Sequence, residues 1–346
     1  MFTINKRKIG NDFPPYIIAE LSANHNGSLE RAKLSIKTAK DCGVDAIKIQ
    51  TYNADSMTID SNKEDFVVKD GLWKGYTLYQ LYDEAHTPYS WHKELFDFAK
   101  NIGITIFSSP FDEGAVDLLE TLDAPAYKIA SFELIDLPLI AYVAKKGKPI
   151  LMSTGMASEQ EIYEALETAR VNGGNSILLF HCISSYPAPA NQANLRQILN
   201  LKEKFGVPVG LSDHTLGNTC AVSAISIGAC AIEKHFTLSR SDKGPDSEFS
   251  IEPKELNNLV KETNIAWESL GKQSFKRPSS EKNSLVFRRS IYFISDLKAG
   301  DKVKEEDIRR IRPGYGLPPK YFNDIIGKEL IKDVYRGESV KWSHFK

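Results

Sequence analysis

Short apolar runs recur at regular intervals through the first two thirds of the 346-residue chain: Tyr16–Leu21, Ala46–Thr51, Ile104–Ser109, Ala126–Ser131, Pro149–Thr154, Ile177–His181, Val207–Leu211 and Ala231–Phe236. They are rich in Ile, Val, Phe and Tyr and mostly lack polar alternation, which predicts strands covered on both faces. Between them the period changes to that of amphipathic helices. Leu29, Ala32, Ile36 and Ala39 mark one face over Leu29–Cys42. Similar segments are Trp91–Asn101, Glu113–Leu122, Leu137–Lys146, Glu159–Val171, Ala193–Phe205, Thr219–Cys230 and Pro253–Leu270. Glycines at 43, 103, 147, 173, 206 and 271 stand where helix C-caps belong. Eight strand–helix units within about 270 residues predict an α/β fold, a (β/α)8 TIM barrel. An open doubly wound sheet would want a Gly-x-Gly-x-x-Gly turn after its first strand, and the chain has none there.

The pattern changes after Gly271. The barrel domain is therefore expected over 1–271, with a polar, charged linker over 272–286. From Phe287 to Lys346 short apolar pieces alternate with Gly-, Pro- and Asp-rich turns, predicting a small mostly-β module. Asp296-Leu-Lys-Ala-Gly-Asp and Asp333-Val-Tyr-Arg-Gly-Glu read as two copies of one turn. Asn53–His86, after the second strand, is too long for an ordinary connection and is expected to act as a lid.

Composition narrows the functional classes. A net charge of −1 gives no support to nucleic-acid or membrane-surface binding. No apolar stretch approaches the ~20 residues of a membrane span, and the basic start Met-Phe-Thr-Ile-Asn-Lys-Arg-Lys has no apolar signal core behind it. Cys42, Cys182, Cys220 and Cys230 sit inside apolar segments without paired or zinc-type spacing. They read as reduced thiols of a cytoplasmic protein.

In a TIM barrel the chemistry sits at the C-terminal ends of the strands. Those ends carry Glu20, Lys48 with Gln50, Ser108 with Ser109, Lys128 with Ser131, Ser153 with Thr154, His181, Ser212 with Asp213 and His214, and Lys234 with His235. His214 and His235 end consecutive strand-like runs, so their imidazoles are expected to converge on one divalent metal. Two neutral imidazoles near carboxylates suit Mn²⁺, Fe²⁺ or Zn²⁺, and Asp246 is placed to join or orient that shell. Lys48 and Lys128 lie within apolar strands, where an unpaired ammonium costs several kcal/mol. Two lysines and several hydroxyls on one rim would suit a phosphate or a polycarboxylate. The bland readings are helix-capping serines and a solvated Lys234.

Ala19-Glu-Leu-Ser-Ala-Asn-His-Asn-Gly-Ser28, Ile47-Lys-Ile-Gln-Thr51, Tyr127-Lys-Ile-Ala-Ser131, Ser153-Thr-Gly155, Gly210-Leu-Ser-Asp-His-Thr215, Glu233-Lys-His-Phe-Thr237 and Gly244-Pro-Asp246 resemble the signature runs of the sialic acid synthases. Phe287-Arg-Arg-Ser290 onward resembles their antifreeze-like (SAF) domain. Ser22-Ala23, Asn62–Trp73, Thr87–His92 and Ser184-Ser-Tyr186 resemble the branch that makes pseudaminic acid. The resemblance implies condensation of phosphoenolpyruvate with an open-chain amino sugar, 2,4-diacetamido-2,4,6-trideoxy-L-altrose for that branch. N-acetylneuraminate or legionaminate synthesis is the alternative. It implies His214 and His235 as ligands of a divalent metal, Mn²⁺ foremost, with Mg²⁺ or Co²⁺ as substitutes, and Glu20 as base or sugar-orienting group. Phosphoenolpyruvate would be bound by Lys48, Ser109, Lys128, Ser131, Ser212 and Ser184, the last standing where neuraminate synthases carry Asn. The sugar would be bound by Gln50, Tyr186, Asp246 and Arg289, with an apolar patch from Phe66, Leu72 or Trp73 against its methyl group. It further implies a domain-swapped homodimer in which Arg289 of one chain reaches the other's site. A Schiff-base aldolase using Lys48 or Lys128 and a non-catalytic carbohydrate binder stay open as other readings.

Overall fold

The computed structural model describes residues 1–71 and 73–346, which form two compact units, Met1–Gly271 and Lys272–Lys346. In the first unit an antiparallel hairpin, β1 (Phe2–Ile4) and β2 (Arg7–Ile9), precedes eight strands. These are β3 (Tyr16–Glu20), β4 (Ala46–Thr51), β5 (Thr105–Pro110), β6 (Tyr127–Ile129), β7 (Ile150–Ser153), β8 (Ile177–Cys182), β9 (Val209–Ser212) and β10 (Ala231–His235). Each pairs in parallel with its neighbours, and β10 closes on β3. The fold is the expected TIM barrel.

Two cores hold it. The larger lies between strands and helices, where Ile36, Leu95, Val116, Val143, Leu166 and Leu259 meet the outward strand residues. The smaller fills the barrel base, where Phe2, Ile4 and Ile9 of the hairpin pack on Tyr16, Phe107, Leu151 and Phe180. The hairpin is absent from the sequence expectation. Its strands are three residues each, and its turn puts Asn5 and Lys6 at positive φ without the usual glycine.

Most helices match the apolar period to within two residues, with two exceptions. Gln197–Phe205 starts late because Asn194 adopts φ +43 and a 3-10 turn occupies Ala190–Gln192. Thr219–Ser226 ends early, before Gly228 at φ +107. Segment 53–86 is built from short pieces: a turn of helix at Ala54–Met57, a Val67–Thr77 bridge, and a helix Leu78–Ala85 started by a Thr77–Gln80 capping box.

In the second unit β11 (Ser290–Phe293) pairs antiparallel with β12 (Ile308–Ile311) over a core of Ile291, Phe293, Val303, Ile325 and Val340. The two similar turns face each other, since Leu297 and Val334 exchange backbone hydrogen bonds at 3.0 Å. Ser279–Phe287, which covers the end of the expected 272–286 linker and the first residue of the module, forms 3-10 turns. Among the described residues no helix is long and apolar enough to cross a membrane.

Candidate active site

At the C-terminal ends of the barrel strands lies a chamber of about 440 Å³. Its position follows from strand parity. Alternate residues of each strand point inward, so Lys48 and Gln50 of β4, Lys128 of β6, Ser212 of β9, and Glu233 and His235 of β10 share one interior. Of the residues read from the sequence, Glu20, Lys48, Gln50, Lys128, Ser131, Ser184, Tyr186, Ser212, His214, His235 and Asp246 all line it. Ser109 stands behind Lys48, its Oγ 3.3 Å from Nζ. Arg289 belongs to the second unit, where its guanidinium donates to the Arg310 carbonyl at 3.1 Å.

The floor is ionic. Lys48 Nζ lies 3.1 Å from Glu20 Oε2 and 3.6 Å from Glu233 Oε2, while Lys128 Nζ lies 3.3 Å from Glu233 Oε1. Burial opposes every one of these charges. For Glu233 the two lysines outweigh it and hold the carboxylate low, whereas Glu20, buried with a single lysine, Lys48, and with the Glu233 charge nearby, is pushed up to about 7. Lys48 is raised against its own desolvation by Glu20 and Glu233. Lys128, with one carboxylate against the same burial, is lowered. Glu20 is further fixed by Gln50 Nε2 at 2.9 Å.

Beside the lysines the wall recedes. A Cβ on Gly155 would overlap Ser184 Oγ and lie 2.8 Å from Ser131 Oγ and 2.9 Å from Cys182 Sγ. The hydroxyls of Ser153 and Ser184 are buried without a hydrogen-bond partner. Unpaired donors around a glycine backbone, next to two lysines, make a cradle for an anion.

The two histidines stand together, ring centroids 5.5 Å apart. His214 Nδ1 donates to the Ile183 carbonyl at 2.9 Å, which leaves the lone pair on Nε2, 3.5 Å from Ser212 Oγ. His235 Nδ1 is buried without a hydrogen-bond partner, 3.9 Å from Asp246 Oδ2. Burial holds both rings neutral, His214 down to about 4 and His235 well below its usual range. Two neutral imidazoles with free ring nitrogens are the form that ligates a divalent cation. Among the described residues no third His, Cys, Asp or Glu completes a cluster with them. The Tyr186 ring packs on both, 4.4 Å from His214 and 6.0 Å from His235, and on Phe249 at 5.1 Å.

Several rim readings are corrected. Lys234 is neither solvated nor in the chamber; it points to the outer layer and binds Asp213 Oδ2 and the Thr215 carbonyl, each at 2.7 Å. That engages Asp213 as well. Ser108, Thr154 and His181 bond the backbone of Ile49, Phe180 and Ala193 and brace the wall. Phe66 is not part of the chamber wall, and Leu72 lies outside the described residues. Glu233 is missed by the sequence reading, although counting back two from His235 gives it the same face. Glu133, also missed, lines the chamber with one buried, unpartnered oxygen and is raised by burial to about 7. The long segment roofs the chamber with Met57, Val68, Trp73, Leu78 and Leu81, and Trp73 Nε1 donates to the Pro245 carbonyl at 3.2 Å.

Residues 35–275 match the NeuB family and residues 288–346 the SAF domain. The chain is 44% identical over 342 residues to the pseudaminic acid synthase of Campylobacter jejuni, covering 98% of this chain and 100% of that one. It is 41% identical over 320 residues to the pseudaminic acid synthase of Helicobacter pylori, covering 92% and 94%. Among solved structures, an N-acetylneuraminic acid synthetase from Leptospira borgpetersenii in complex with citrate matches with a TM-score of 0.74 at 33% identity, over 82% of this chain and 94% of that one.

Proposed function

The chain belongs to the NeuB family and ends in a SAF domain, and from that membership we propose that it joins phosphoenolpyruvate to 2,4-diacetamido-2,4,6-trideoxy-L-altrose, with water, to give pseudaminic acid and inorganic phosphate. The observation that carries this reading is the pairing of two floor lysines with two adjacent neutral imidazoles in one chamber. Lys48 and Lys128, each already opposed by a carboxylate, bind the phosphoenolpyruvate carboxylate and phosphate without forming a covalent adduct. Ser131, Ser184 and Ser212 donate to the same oxygens, and the space beside Gly155 admits the phosphate. Ser109 holds Lys48 from behind.

His214 and His235 would hold a divalent metal, Mn²⁺, Co²⁺ or Mg²⁺, whose Lewis acidity polarises the sugar aldehyde. Carbon 3 of phosphoenolpyruvate attacks that aldehyde carbon and the new C–C bond forms. Water adds at carbon 2, and the tetrahedral intermediate expels phosphate by C–O cleavage. Glu20, raised toward neutrality by burial and aimed by Gln50, is positioned to exchange a proton with the sugar oxygen or the entering water. Tyr186 and Asp246 contact the sugar beside the histidines.

A domain-swapped homodimer completes the proposal, with Arg289 of a second chain reaching the sugar. Two sets of exposed apolar side chains support it: Phe132, Ile135, Met156 and Leu216 after the barrel strands, and Phe287, Tyr315 and Trp342 in the SAF unit. The activity is tested by incubating the protein with phosphoenolpyruvate and a panel of monoacetamido and diacetamido hexoses, following phosphate release and weighing the products. A higher kcat/KM with N-acetylmannosamine or with the legionaminate precursor than with the altrose sugar would replace this reading.

A further inference from the structure

The chamber has two unlike ends. Opposite the ionic floor, the helix Leu78–Ala85 presents Leu78, Leu81, Tyr82 and Ala85 to the cavity, at the i, i+3, i+4, i+7 spacing of one face. Such a stripe ordinarily packs on a core. Here no residue of the helix is fully buried, and none of the four joins the barrel's apolar clusters. The helix is held by its Thr77 cap, by Tyr79, whose hydroxyl donates to Asp55 at 3.3 Å, and by Tyr82, whose ring meets Tyr52 edge-on at 5.9 Å. Val68 and Met57 extend the same apolar surface.

The direction of the reaction says what meets this surface. The new bond joins carbon 3 of phosphoenolpyruvate to the aldehyde carbon. With the carboxylate and phosphate on the lysines, the aldehyde end of the sugar faces the floor. Carbons 4 to 6 then lie toward the roof, and a 6-deoxy sugar acylated at nitrogen 4 presents two methyl groups there. We propose that the Leu78–Leu81–Tyr82–Ala85 face, with Val68 and Met57, is the subsite for the far end of the sugar and selects a 6-deoxy over a 6-hydroxy hexose. This rests on the activity proposed above. A hydroxyl moved from water onto Leu78, Leu81, Ala85, Val68 or Met57 gains no partner, and the discrimination expected is about 5- to 150-fold in kcat/KM, the equivalent of ~1–3 kcal/mol.

The test compares 2,4-diacetamido-2,4,6-trideoxy-L-altrose with its 6-hydroxy counterpart of the same configuration, each with phosphoenolpyruvate, by phosphate release. The wild type should favour the 6-deoxy sugar within that range. Leu81→Gln and Leu78→Gln keep helix propensity and touch no core, so each should shrink the ratio at least several-fold and leave the KM for phosphoenolpyruvate unchanged. Leu81→Met should keep the wild-type ratio. Equal kcat/KM for the two sugars in the wild type, or equal losses against both in the two glutamine variants, overturns the subsite while leaving the activity standing. Phosphate release with neither sugar refutes the activity, and with it the occupant assigned to the roof.

Discussion

Replacing Glu233 with glutamine removes one charge from the floor and little else. The amide keeps the volume and can still meet Ser212 Oγ, now 3.0 Å from the carboxylate. The lysines fare differently. Lys48 retains Glu20 at 3.1 Å, but Lys128, 2% exposed, loses the carboxylate at 3.3 Å that is its ion-pair partner. Breaking a buried pair from one side costs ~3–5 kcal/mol, and the lower figure suits a lysine that faces a chamber open to solvent. At ~2–4 °C per kcal/mol for a unit of this size, Glu233→Gln should lower the melting temperature by roughly 6–12 °C. Phosphoenolpyruvate carries its own negative charge to the same lysines. It should therefore raise the melting temperature of the variant by more than that of the wild type. Differential scanning fluorimetry with and without phosphoenolpyruvate reads both effects. A variant that melts with the wild type and gains no more from phosphoenolpyruvate would refute the floor as a balanced charge cluster.

Chelator-treated protein should be inactive and recover with Mn²⁺ or Co²⁺, and His214→Ala or His235→Ala should each abolish metal-dependent turnover; full activity of either variant in excess EDTA would remove the metal from the site. Gly155→Ala should raise the KM for phosphoenolpyruvate by roughly 10- to 100-fold, because each displaced hydroxyl contributes ~1.5–3 kcal/mol to a charged phosphate. Its melting temperature should stay put, since the new methyl meets only side-chain tips, and an unchanged KM would count against the cradle. His92, bonded to Thr51 Oγ1 at 2.8 Å, is lowered by burial to about 4. In the unfolded chain it protonates near pH ~6.5, so its contribution is complete above that pH and is lost as pH falls toward 4. Glu20 and Glu133, raised in the fold, act in the opposite direction, so the quantity to follow is the gap between wild type and His92→Gln in thermal melts. That gap should narrow from pH 6.5 to 4, and a constant gap would contradict the assignment.

Much of the barrel is legible in the sequence because strands covered on both faces are nearly all apolar and their helices carry one apolar stripe. Ile47 and Ile49 alternate with Lys48 and Gln50, and in so apolar a run the polar pair can only face a site. In β10 polar residues occupy both faces. Glu233, Lys234 and His235 are three polar residues in a row; placing His235 at the site puts Glu233 on the same face by parity, but the partner of Lys234, Asp213, is set by the fold. Ser131 and Ser184 are visible as hydroxyls on two loops, but their meeting around Gly155 depends on tertiary approach. The hairpin Phe2–Ile9 and the roof helix Leu78–Ala85 are too short for periodicity to declare. What stabilises them is the barrel base in one case and a helix cap in the other.

The hairpin that fills the barrel base has a kinetic consequence. With Phe2, Ile4 and Ile9 closing one end, the chamber exchanges its contents through the mouth alone. In the function proposed above, phosphoenolpyruvate takes the anion cradle beside the floor lysines and the sugar sits over it. Molecules in such a well arrive and depart as a stack: phosphoenolpyruvate enters an empty enzyme, and a sugar already seated bars its way. Initial-rate patterns should therefore be those of compulsory order, and inorganic phosphate, the deeper product, should compete with phosphoenolpyruvate rather than with the sugar.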